Sequence, residues 1–138
     1  MRVPREVFVD TGAWIALAEV LDPYHERALA QWERLRRGGI RLSTSVAVVL
    51  ETFTFLDRRG SRELALRWKD GLAAVGRLEV VECRAADLDA AWAYFDRKEL
   101  HKLSLVDALS FVIMRRRGIH SAFAFDTHFA AAGFRCLG

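Results

Sequence analysis

Of the eighteen acidic residues in this 138-residue chain, four stand where a solvated carboxylate does not belong. Asp10 follows the apolar triplet Val7-Phe8-Val9 and precedes Thr11-Gly12-Ala13. Asp126 follows Ala122-Phe123-Ala124-Phe125 and precedes Thr127-His128-Phe129. Both read as the carboxyl end of a buried strand running into a helix, the edge at which open α/β sheets bind ligands. Glu51 has Ala47, Val48, Thr54 and Phe55 at helical spacing, and a Glu among them is costly to bury without a partner. Asp107 closes the segment Ser104-Leu105-Val106-Asp107. Each acid also has a structural alternative. Asp10 could cap a helix, Glu51 could pair with Arg58, and Asp107 could complete a capping box with Ser104, although the usual partner there is Glu or Gln. Glu33, Glu63, Asp70 and Asp96, by contrast, fall on polar faces beside Arg or Lys.

If the four acids converge, electrostatics dictates what must join them. Two unit charges about 4 Å apart repel by roughly 4 kcal/mol at an effective dielectric near 20. Such a cluster needs protons, basic partners or divalent cations. Hard cations such as Mg²⁺ take carboxylate oxygens and keep several waters, and a Mg²⁺ or Mn²⁺ site of this kind could activate water toward phosphorus. No Cys/His spacing offers a zinc site, and no glycine loop suits a nucleotide phosphate.

The elements that must position these acids alternate between strand-like and helix-like segments from end to end. That pattern predicts one α/β domain over residues 1–138 with a mostly parallel sheet. Strands are expected at Val7–Val9, Ile40–Leu42, Leu78–Val81, Ala122–Phe125 and Phe134–Leu137. Helices are expected at Trp14–Val20, from Asp22-Pro23 to Gly38, at Ser45–Arg59, Ser61–Val75, Ala86–Lys98 and Ser104–Arg117, with a helical turn at His128–Ala132. Val46, Val49, Leu50, Phe53 and Leu56 read as the buried face of the third helix, and Leu88, Ala91, Trp92 and Phe95 as that of the fifth. In the sixth, Leu105, Leu109 and Val112 read as inward.

Bulk properties set outer limits. Hydrophobic residues make up 52% of the chain, with four Trp and nine Phe, enough for a real core and against disorder. No apolar run approaches the roughly 20 residues of a membrane span. The short charged opening has no apolar h-region, so no signal peptide is expected. Cys83 and Cys136 are too few for a disulfide framework and read as reduced residues of a cytoplasmic protein. The net charge of +3 is compatible with nucleic-acid binding without demanding it. All but Lys69, Lys98 and Lys102 of the 21 basic residues are Arg. Their clusters at Arg34-Arg36-Arg37, Arg58-Arg59-Arg62 and Arg115-Arg116-Arg117 fall near helix ends, where the helix dipole favours them. Some could also line a phosphate track. The Trp residues lie on apolar stripes and read as core.

With these residues in view, the chain resembles the PIN domain family. Phe8-Val9-Asp10-Thr11-Gly12-Ala13 is similar to the family's opening motif. Thr44-Ser45 leading to Leu50-Glu51, the run Leu103 to Ser110 around Asp107, and Ala124-Phe125-Asp126-Thr127-His128-Phe129 followed by Gly133-Phe134 follow in the family's order. The resemblance implies a three-layer α/β/α, Rossmann-like domain with a Mg²⁺- or Mn²⁺-binding acidic pocket that hydrolyses phosphodiester bonds, usually of RNA. Stand-alone members of this size are often VapC-type toxins. The resemblance therefore also implies a homodimer held inactive by a small antitoxin whose tail covers the pocket.

By position, Asp10, Glu51, Asp107 and Asp126 would be the metal-binding acids, with Thr11 and Ser104 lining the pocket. In the mechanism expected, Asp10, Asp107 and Asp126 hold the metal, and Glu51 acts through water or as proton acceptor. Many members carry a further acid where this chain has His128, which leaves a second fully bound metal in question. His128 could touch phosphate or face solvent.

Other readings share some of these residues. Asp-Thr-Gly-Ala after Phe-Val is also the signature of an aspartic protease, which needs a second such loop and an almost wholly β fold. The same fold could serve as a non-cleaving module that binds RNA or an antitoxin. A nuclease acting on DNA is a further alternative. A phosphatase working through a phospho-Asp10 lacks the expected Asp-x-Asp pair.

Overall fold

A computed structural model describes residues 3–138; Met1 and Arg2, the start of the charged opening stretch, lie outside it. The central strand β1 (Glu6–Val9) is buried through Val7, Phe8 and Val9, as a parallel strand covered on both faces requires. It pairs in parallel with β2 (Arg41–Ser45) on one side and β4 (Ser121–Phe123) on the other. Strands β3 (Leu78–Val81) and β5 (Arg135–Leu137) complete an all-parallel sheet in the order β3-β2-β1-β4-β5.

The winding reverses beside β1. The crossovers β1 to β2 and β2 to β3 carry α1 (Thr11–Ala18), α2 (His25–Arg37), α3 (Val46–Phe55) and α4 (Arg62–Ala73). The connections that step back past β1 carry α5 (Ala85–Ala91), α6 (Leu105–Arg117) and α7 (His128–Ala131). Right-handed crossovers in opposite directions put the two groups on opposite faces, giving the three α/β/α layers expected from the sequence. Trp14, Trp32 and Trp68 pack together in the first layer, and Tyr94, Phe111, Phe129 and Phe134 in the second. An Asp-Thr-Gly loop at a strand–helix junction of a parallel sheet is not an aspartic-protease loop, and that reading ends here.

Several boundaries differ from the sequence reading. β2 runs on through Ser43, Thr44 and Ser45, because their hydroxyls find partners. Thr44 Oγ1 donates to Val9 O (2.9 Å) and accepts from Trp14 Nε1 (3.2 Å), and Ser45 Oγ caps α3 by accepting Val48 N–H (3.2 Å). α2 begins at His25 rather than Pro23, because Asp22 Oδ1 accepts the Tyr24 amide (2.8 Å) in a local turn. α3 ends in one π-helical turn, Leu56–Gly60. The expected fifth helix shortens to α5 and tightens into a 3₁₀ turn at Trp92–Asp96.

Two buried faces match the expectation only in part, at Leu56 with half-buried Val49 and Phe53, and at Ala91. In α3 the inward residues are Val48, Thr52 and Leu56, while Val46, Leu50 (64% exposed) and Phe55 face outward. In α5 the inward residues are Asp87 and Ala91, and Leu88, Trp92 and Phe95 are exposed. Both segments are apolar on more than one face, so periodicity alone could not choose the inward one. Trp92 is consequently the one Trp that is surface rather than core (52% exposed). α6 buries Ala108, Leu109, Phe111, Ile113 and Met114, with Leu105 and Val112 only half-buried.

Candidate active site

In a parallel sheet every strand delivers its carboxyl end to one edge, and the switch point is the break between strands whose connections leave in opposite directions. Here that break lies between β1 and β4. Asp10 follows β1 and Asp126 lies three residues beyond β4. Ser45 ends β2 and starts α3, which carries Glu51. Asp107 comes from the first turn of α6. Four short motifs far apart in sequence thus meet at one edge.

Asp10 is buried, and at the N-cap position of α1 its side chain makes no capping bond. Its Oδ1 is buried without a hydrogen-bond partner, as is Thr11 Oγ1 beside it. The capping alternative therefore does not account for Asp10. Burial, and next the charge of Asp107, raise its carboxyl well above the usual range, with smaller contributions from Glu51 and Asp126. The Thr11 amide draws it only partly back.

Asp107 is also buried, and its amide is capped by Ser104 Oγ at 3.0 Å. Burial, then the charges of Asp126 and Glu51, push its carboxyl up to about 6, against the lowering effects of Ser104 and His128. These mutual effects place all four predicted acids within electrostatic reach of one another. Glu51 sits at the rim, half-buried, in a groove shared with Leu50, Phe55, Arg58, Arg59 and Val106. Among the described residues no ion pair joins it to Arg58.

Asp126 is the most open acid of the three Asp, with its side chain 34% exposed. Its Oδ1 accepts the His128 amide at 2.7 Å, which fixes the carboxylate. The His128 ring does not face solvent. Nδ1 lies 2.8 Å from Asp126 Oδ1 and 3.6 Å from Asp107 Oδ2, and Nε2 meets the His101 carbonyl. Burial lowers the pKa of this imidazole, but the His101 carbonyl and the two carboxylates outweigh that and raise it.

As the side chains stand, the atoms that could close on one ion belong to Asp107, Asp126 and His128, all within 4.8 Å of one another. Asp10, buried, and Glu51, half-buried, lie within electrostatic reach of this trio's carboxylates. An oxygen-rich donor set with buried, unpartnered Oδ1 and Oγ1 atoms fits a hard divalent cation.

Asp87 was missed by the sequence reading as a buried acid. It is a structural one: Oδ2 accepts the Arg84 amide (2.9 Å), and Arg116 of α6 grips both oxygens (3.1 and 2.9 Å). The signal available was its position in the first turn after Arg84, where an acid closes a cap.

The family model described as PIN domain matches residues 7–135. The chain is a PIN domain. Among curated proteins this PIN domain is 40% identical over 130 residues to the 23S rRNA-specific endonuclease VapC20 of Mycobacterium tuberculosis, in two strains, covering 93% of this chain and 95% of the relative. The crystal structure of M. tuberculosis VapC20, described as a sarcin-ricin loop cleaving toxin, superposes with a TM-score of 0.79 and 35% identity over 93% of this chain and 95% of that one. VapBC2 from Rickettsia felis bound to a promoter DNA fragment gives a TM-score of 0.70 at 12% identity over 95% and 96%. DNA-bound VapBC from Salmonella typhimurium gives 0.68 at 19% over 97% of both chains. The last two share the PIN fold.

Proposed function

We propose that this PIN domain is a Mg²⁺- or Mn²⁺-dependent endoribonuclease, the toxin of a toxin–antitoxin pair, with Asp10, Glu51, Asp107 and Asp126 as its working acids. The observation that carries the reading is the convergence of these acids at the sheet's switch point, two of them held above the usual carboxylate range by burial and by one another. The likeness to a 23S rRNA-specific endonuclease supports RNA, and a ribosomal RNA loop in particular, as the substrate. Loops present unpaired bases that a protein surface can read.

In this reading Asp107, Asp126 and Asp10 would hold a divalent cation, which would supply polarisation of a phosphodiester oxygen and acidification of water. Glu51, at the rim, takes the proton of the attacking water as its oxygen closes on phosphorus, and the bond to the leaving ribose oxygen breaks on the opposite side. Ser104 keeps Asp107 in place, and Thr11 offers a hydroxyl beside Asp10. Arg58 and Arg59, in the groove with Glu51, supply positive charge for the flanking phosphates.

The antitoxin would seat in an apolar groove of the first helical layer. It measures about 610 Å³, lies between α1, α2 and α4, and is lined by Trp14, Leu17, Leu29, Trp32, Trp68 and Leu72. Structural neighbours that are VapBC assemblies support such a partner. The outward apolar residues of α3 and α5, both packed on α6, support a homodimer. Free Cys83 and Cys136 suit a reducing cytoplasm, and among the described residues no helix is long and apolar enough to cross a membrane.

The test is incubation of purified protein with total RNA and with isolated ribosomes, in Mg²⁺, in Mn²⁺ and in EDTA, beside Asp107→Asn. Discrete fragments that need metal and vanish in the variant are expected. RNA binding that ignores chelator and yields no product would instead make the domain a binding module.

A further inference from the structure

We propose that His128 is a nitrogen ligand of the metal in this site, and that it shifts the site's preference from Mg²⁺ toward Mn²⁺ and Co²⁺. The inference rests on the metal-dependent reading above and adds to it a donor of a different kind.

The argument begins with the two ring nitrogens. Nε2 lies against the His101 carbonyl, which can only accept, so Nε2 carries a proton. In the neutral ring Nδ1 is then a bare lone pair. It is buried, has no hydrogen-bond partner, and faces Asp126 Oδ1 at 2.8 Å and Asp107 Oδ2 at 3.6 Å. The carboxylate oxygens are acceptors too. Three lone-pair atoms at these separations repel unless a positive centre lies among them.

A proton on Nδ1 would pair the ring with Asp126 alone, leaving Asp107 Oδ2 at 3.6 Å without a hydrogen bond to it. A cation bound jointly by Nδ1 and the two carboxylates satisfies all three atoms. The arrangement behind the ring is the one metal-bound imidazoles adopt, with the second nitrogen donating to a backbone carbonyl that fixes tautomer and orientation. Independently, Asp10 is 3% exposed, carries an unpartnered Oδ1 and feels the charges of the same two carboxylates.

Replacing an oxygen donor by imidazole alters metal choice. Mg²⁺ demands oxygen ligands and near-ideal octahedral geometry. Imidazole strengthens binding along the series from Mn²⁺ to Co²⁺ and beyond.

The experiment loads the full chain with Mn²⁺ and records electron spin-echo modulation, with and without ¹⁵N-histidine labelling, for wild type, His128→Asn and His101→Gln. Calorimetric titrations with Mn²⁺, Co²⁺ and Mg²⁺ accompany it on wild type and His128→Asp, with circular dichroism as the check of fold. Expected is a directly bonded nitrogen in wild type and His101→Gln that disappears in His128→Asn. The Co²⁺-to-Mg²⁺ affinity ratio should fall about tenfold in His128→Asp. Bound Mn²⁺ without nitrogen coupling, or coupling that survives His128→Asn, overturns the inference and leaves the nuclease reading intact. Failure of every ion to bind overturns both.

Discussion

Ser104 Oγ accepts the Asp107 amide at 3.0 Å, but the Asp107 carboxylate makes no return bond to the Ser104 amide. Half of the capping box is formed, and the acid is left for the cluster. Ser104→Ala should therefore cost about 1 kcal/mol of stability through the lost cap and also reduce cleavage. Ser104→Thr should restore both. Thermal melts and initial cleavage rates check this, and an unchanged rate in Ser104→Ala would separate the cap from the site.

The metal-free site should make the protein less stable as pH rises from about 4 to 6. The folded Asp107 carboxyl titrates near 6 and the unfolded one near 3.9, so in that window the folded state holds a proton that the unfolded state releases. The deficit is complete above the folded value, at about 2–3 kcal/mol from Asp107 alone. His128 acts in the same direction: its raised folded value contributes stability at low pH that is lost as pH climbs through it. In EDTA, melting temperature should increase from pH 7 to pH 5, before the acids with lowered values, such as Asp87, begin to protonate. A flat profile would mean the carboxylates do not interact as described.

Asp107→Asn should abolish that pH dependence in large part while lowering cleavage by about 100-fold or more. Its metal-free form should melt above the wild type at pH 7, because a buried like charge is gone. Loss of activity together with loss of stability would point to a structural role for Asp107.

Mn²⁺ should raise the wild-type melting temperature in proportion to the logarithm of its concentration, as ligand linkage requires. The rise should be much smaller in Asp107→Asn. Differential scanning fluorimetry across a Mn²⁺ series reads it directly.

Asp87→Ala supplies the contrast between a structural acid and the acids proposed to work at the site. It removes the buried partner of Arg116 and should cost about 3 kcal/mol, less to the extent that Arg116 reaches solvent. Metal affinity should not change. A shift in the Mn²⁺ titration would contradict the separation of the two acids.

By itself the sequence determined the architecture and singled out the four acids proposed to work at the site. Alternating strand and helix periods leave few topologies, and an acid at the end of an apolar strand, as at Asp10 and Asp126, is conspicuous because burial of charge is so costly. Ordered motifs around Glu51 and Asp107 added the rest. What only the tertiary structure decided depends on contacts between distant segments. Leu50 and Trp92 face outward because Thr52 and Asp87 turn inward on the same segments, Asp87 to meet Arg84 and Arg116, which local hydrophobicity cannot foresee. The cap on Asp107 is half made, and its carboxylate lies instead among the charges of Asp126, Glu51 and Asp10. His128 turns inward because the His101 carbonyl, 27 residues away, takes its other nitrogen. Periodicity reports how a segment could lie; partners brought together by the sheet report how it does.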